Sequence, residues 1–129
     1  MTKYKVVWSQ DRKSCTIPKS SKFSLIYKKG IVTAVKDSIG IMVFKSYVSA
    51  KRFMNLNGKK NQWQILEVNP VGEKKKMPKR LCPIRWDARE TTFALKMYNK
   101  FRFSKFPSYY STMPVPAGSE CYDSVEVMD

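Results

Sequence analysis

Residues 23–46 read FSLIYKKGIVTAVKDSIGIMVFKS, and residues 47–57 continue YVSAKRFMNLN. This stretch decides the fold class. Phe23, Leu25 and Tyr27 alternate with Ser24, Ile26 and Lys28, the two-residue period of a half-buried strand. Gly30 stands where a turn or bulge is needed. Ile31–Val35 is a second β-rich run and Ile39–Phe44 a third, with Asp37-Ser38 as the turn between them. The period then changes. Ser46 is placed to cap a helix, whose Tyr47, Ala50 and Met54 share one face with Phe53 beside them. Asn57-Gly58 supplies a helix stop.

Outward from this unit, the β composition recurs. Tyr4–Trp8, YKVVW, predicts a first strand, and residues 9–22 form a polar loop with Pro18. In residues 59–70, KKNQWQILEVNP, Trp63, Ile65 and Glu67 fall on one face of a strand and Leu66 and Val68 on the other. Val71-Gly72 opens a basic loop over residues 73–80. Leu81–Trp86 is extended, with Pro83 arguing against a central strand. Residues 90–103, ETTFALKMYNKFRF, fit a helix and a strand equally well. Residues 104–118 form an irregular segment rich in proline and aromatics, and Cys121, Val125 and Val127 are in phase as a closing strand. About six strands and one helix predict an α+β domain over residues 1–129. Its expected architecture is a single antiparallel or mixed sheet with one main helix packed on it.

The chain is long enough to bury a core without disulfides or a metal: 129 residues, 43% hydrophobic and 13% aromatic. Three cysteines, Cys15, Cys82 and Cys121, make no disulfide framework and fit a reducing compartment. The start, MTKYKVVWSQDRK, has no apolar signal core, and no 18-residue apolar run exists to span a membrane. The expected location is the cytoplasm, with the nucleus or nucleoid as alternatives.

Charge is the dominant functional signal. The chain holds 25 Lys and Arg against 10 Asp and Glu, a net of +15. Residues 119–129 hold four of the acids and no base, so residues 1–118 carry 25 bases against six acids, a net of +19. Such a field attracts polyanions, nucleic acid first, with an acidic protein or membrane headgroups as rivals. The densest cluster is KKKMPKR, whose Lys74, Lys75, Lys76, Lys79 and Arg80 would contact phosphates. It also satisfies the loose pattern of a nuclear-localisation signal, as many lysine-rich stretches do. Bases interleave with aromatics in KMYNKFRFSKFPSYY, which contributes Lys96, Lys100, Arg102, Lys105, Tyr109 and Tyr110 as further contacts. On a strand, Phe101 and Phe103 would face the core instead. Lys19, Lys22, Lys28 and Lys29 form another basic group, and Lys51-Arg52 with Lys59-Lys60 a third.

Catalytic signatures are sparse. With no histidine, the common base near neutral pH and the His-dependent triads and zinc sites are missing. Neither glycine-rich phosphate-loop motif occurs. Asp87 and Glu90 would share a helix face and could hold a cation, but first-turn acids favoured by the helix dipole explain them as well. The expectation is a non-catalytic protein with no cofactor and no metal. A His-free enzyme stands as a lesser alternative.

The segments YKVV at residue 4, YKKGIVTA at 27–34 and GIMVFKS at 40–46 go together with Ala50, Phe53, VNPVG at 68–72 and CYDSVEV at 121–127. In these the chain resembles a family of small, poorly characterised virus-encoded proteins, mainly of bacteriophages. The resemblance covers most of the chain and rests on structural motifs. It implies a viral accessory role and an α+β fold, and it carries over no catalytic residue. The KKKMPKR stretch lies between the matching segments. A host-protein-binding inhibitor of a defence pathway is the alternative role that it leaves open, and a virion component a lesser one.

Overall fold

The computed structural model describes residues 2–14, 25–34, 40–58, 61–76, 80–81 and 113–128. In chain order these form β1 (Lys3–Trp8), β2 (Gly30–Thr33), β3 (Ile41–Phe44), α1 (Tyr47–Leu56), β4 (Trp63–Lys75), β5 (Arg80–Leu81), β6 (Met113–Pro114) and β7 (Ser119–Val127). β1 pairs with β3 on one side and β4 on the other, and β7 pairs with both of these again. The four strands therefore close into an antiparallel barrel, β1–β3–β7–β4. β2 joins the same edge of β7 just beyond the end of β3. β5 and β6 pair separately.

This corrects the expected architecture. The described residues are mostly β, a closed four-stranded barrel plus one strand, with one short helix among them; they do not form a single open sheet carrying a main helix. The reason lies in long-range pairing. Local periodicity finds strands, but only the contact of β7 with β4, about fifty residues apart in sequence, closes the ring. Closure also removes the unpaired edges that an open sheet would present.

Alternation along β1 and β4 feeds two cores. Val7, Leu66 and Val68 join Ile41, Val43, Tyr27, Tyr122, Val125 and Val127 in the barrel interior. Val6 and Trp63 face the other way and meet Phe44, Ala50 and Met54 beneath α1, with Trp8, Phe53 and Ile65 at the margin. The strands are thus apolar on both faces because one face lines the barrel and the other receives the helix.

The local signals around α1 work as the sequence predicts. Ser46 is extended, and its Oγ accepts from the Ser49 amide at 3.1 Å. Ala50 and Met54 are buried, whereas Tyr47, expected beside them, is exposed and meets the Tyr4 ring edge-on. At the helix end the Asn57 amide bonds to the Phe53 carbonyl and Gly58 takes φ +63°. Gly118, at φ +81°, brings the chain against the start of the helix, where its carbonyl accepts from the Lys45 amide at 2.8 Å. A Cβ there would lie 2.5 Å from Ser49 Oγ.

β4 runs through Pro70 and Gly72 to Lys75, farther than the sequence indicates. Between the pairs Val71–Ser124 and Lys74–Tyr122, Gly72 and Glu73 stand opposite the single Asp123. This is a β-bulge, and Gly72 provides its positive φ of 86°. β7 changes phase there, so Tyr122 rather than Cys121 joins Val125 and Val127 in the interior cluster. Cys121 is nonetheless buried, and it is a free thiol. Phe23, the Asp37-Ser38 turn, Cys15, Cys82, the Asp87–Glu90 pair and the ambiguous 90–103 segment lie outside the described residues.

Candidate functional site

The most organised polar arrangement among the described residues is built on Glu120. Its partner across the sheet is Val43, a residue of the interior cluster, so Glu120 faces inward at one end of the barrel. The odd positions of β1 face the same interior, because Lys3 pairs with Val68 and Lys5 with Leu66. Two lysines therefore enter the barrel, and both are buried. Burying an ammonium group requires compensating partners. Lys3 Nζ lies 2.9 Å from Glu120 Oε1, with side-chain exposures of 10% and 13%. Lys5 Nζ donates to the Met42 carbonyl at 2.9 Å and sits 5.0 Å from the centroid of the Tyr27 ring.

The second oxygen of Glu120 is taken by the basic stretch. Lys74 Nζ donates to Oε2 at 2.8 Å, and the Tyr122 hydroxyl donates to Oε1 at 3.2 Å. One strand position on, Lys75 Nζ lies 3.2 Å from Asp123 Oδ1. Burial by itself would raise the Glu120 pKa. The hydrogen bonds from Lys74 and Lys3, with their positive charges, outweigh it and hold the carboxyl down at about 2. The Lys74 ammonium is pushed up by its hydrogen bond to Glu120 and by that charge. The Tyr122 phenol is pushed up by burial and by the Glu120 charge.

These directions decide what the cluster can do chemically. A general base needs a pKa near the working pH, and a nucleophilic lysine needs a depressed one. Glu120 and Lys74 have moved the opposite ways. The arrangement is a clamp that ties β1, β4 and β7 together.

The residues singled out from sequence therefore divide. Lys74 and Lys75 are strand residues whose ammonium groups already hold carboxylates. Lys76 is exposed directly after β4, and Arg80 opens β5. Lys79, Lys96, Lys100, Arg102, Lys105, Tyr109 and Tyr110 lie outside the described residues, as do Phe101, Phe103, Lys19, Lys22, Lys59 and Lys60. Lys28, Lys29, Lys45 and Arg52 are exposed and form no ion pair among the described residues.

Sequence reading missed Lys3, Lys5 and Glu120 as interior groups. In KYKVVW the lysines alternate with Tyr4, Val6 and Trp8, the ordinary pattern of a sheet with one wet face. The available clue was an acid, Glu120, beside the closing strand with cations to spare elsewhere.

No helix of the described residues is long and apolar enough to cross a membrane. No family model, curated protein or solved structure matches the chain.

Proposed function

We propose that this is a non-catalytic polyanion-binding protein with nucleic acid as its first target, acting as a small viral accessory protein in the host cytoplasm or nucleoid. One observation carries the reading. Among the described residues the clamps pair Lys3, Lys74 and Lys75 with Glu120 and Asp123, in a chain of 25 bases and 10 acids with a net charge of +15. Ion pairing leaves that net charge as it is, and positive fields concentrate polyanions. What changes is the set of contacts. Exposed Lys28, Lys29, Lys45 and Arg52 join the proposed phosphate donors, which include Lys76, Lys79 and Arg80 by sequence. Lys74 and Lys75 would reach phosphate only by exchanging away from Glu120 and Asp123.

The test is anisotropy with labelled single- and double-stranded oligonucleotides across a salt series. The logarithm of affinity should fall against the logarithm of salt with a slope of about −0.9 per phosphate contact on duplex DNA, or about −0.7 on single strands. Asp123→Asn, which releases an exposed pair of little worth to stability, should strengthen binding about threefold. An affinity that is flat with salt, or absent at low salt, refutes the reading.

A further inference from the structure

We propose that the outward face of α1 is a docking strip for an acidic peptide segment of a partner protein, in which a carboxylate is flanked by aliphatic side chains. The helix turns Ala50 and Met54 onto the barrel, with Phe53 at the margin. On the opposite side Val48, Arg52 and Leu56 follow one another at four-residue spacing and form a single line along the axis. Val48 is 65% exposed and Leu56 80%. One exposed aliphatic residue is ordinary. Two in line, bracketing a cation, offer an apolar contact at each end with a charge midway between them.

Charge chooses the occupant. Residues 38–66 contain five bases, Lys45, Lys51, Arg52, Lys59 and Lys60, and no acid. Arg52 makes no ion pair among the described residues, and its planar guanidinium matches a carboxylate in two-point geometry. A nucleic acid could use Arg52 but would leave Val48 and Leu56 without an apolar cover. A second copy of this chain, set strip to strip about a two-fold axis, would bring Arg52 close to Arg52. A helical segment with Leu or Ile eight residues apart and a Glu four residues from each repeats the spacing of Val48, Arg52 and Leu56 and so satisfies both the apolar ends and the central cation.

The test uses the nuclease-treated, 15N-labelled full chain titrated with a synthetic helical peptide carrying two Leu at eight-residue spacing with a Glu four residues from each. Its Glu-to-Gln counterpart is titrated alongside. Saturable amide shifts should cluster at residues 47–57, and the Gln peptide should bind at least about fivefold more weakly. Arg52→Glu and Leu56→Gln, both at exposed positions, should each lose about tenfold in affinity while the remaining spectrum keeps its dispersion. Shifts that are absent at millimolar peptide, or spread over the barrel, overturn the proposal. Equal affinity for the two peptides also overturns it, as does self-association in sedimentation that Leu56→Gln abolishes. Loss of salt-dependent oligonucleotide binding with the peptide shifts intact would remove the polyanion reading alone.

Discussion

Replacing Glu120 by Gln removes one negative charge while keeping the size of the side chain, and it opens the clamp from both sides. Lys3 then keeps a buried ammonium with only a neutral amide to face, and Lys74 loses its acceptor oxygen. The displacement of the Glu120 pKa from 4.5 to about 2 sets a ceiling of about 3 kcal/mol on the carboxylate's contribution. Lys74 is 58% exposed, so solvent screens its arm and brings the expectation down to about 2 kcal/mol. The sign follows from the direction of the shift. A carboxylate whose folded pKa is depressed adds stability that is present in full above about 4.5 and is lost as pH falls towards about 2. Urea unfolding of wild type and Glu120→Gln at pH 7 should therefore differ by about 2 kcal/mol, and the gap should narrow steadily between pH 4.5 and 2.5. Lys3→Met should be strongly non-additive with Glu120→Gln, because both break one contact. A gap under about 0.5 kcal/mol at pH 7, or one that stays constant with pH, would refute the clamp.

Gly118→Ala should destabilise by about 2 kcal/mol or more, since its Cβ would meet Ser49 at a positive φ. Gly58→Ala, at φ +63° with open space around it, should cost only about 1 kcal/mol, and equal losses in thermal melts would contradict the packing at Gly118. Ser46→Ala removes the acceptor for the Ser49 amide and should cost about 1 kcal/mol in denaturant unfolding. Trp63 stacks on Phe53 at 5.7 Å, but its buried Nε1 has no hydrogen-bond partner among the described residues. Trp63→Phe should stay within about 1 kcal/mol of wild type, because the loss of packing is offset by removal of an unsatisfied donor, whereas Trp63→Ala should cost about 3–5 kcal/mol.

Much of the local structure is legible in the sequence. β1, β2, β3, the capped helix and the start of β4 follow from alternation, from Ser46 and from Asn57-Gly58. Closure is not legible, because it depends on β7 finding β4 and on a bulge at Gly72 that no periodicity announces. The same gap explains the site. KKKMPKR reads as a free basic loop because charge density is local information. That Lys74 and Lys75 lie in a strand against Glu120 and Asp123 is a matter of register, fixed only when the barrel forms. Lys3 and Lys5 illustrate the converse: a lysine on a strand reads as wet until the far side of the ring supplies its partner.

The position of β7 bears on how the protein is made in the cell. Residues 119–127 supply the partner for β2, β3 and the second half of β4, so no ring exists until they have been translated. Between Lys75 and Ser119 a ribosome working at about 5–20 residues per second needs roughly two to nine seconds. Throughout that interval the nascent chain holds strands with open edges and a lysine, Lys3, whose carboxylate has not yet been synthesised. Synthesis rate and chaperone access should therefore govern the yield of soluble protein more than the stability of the finished barrel does.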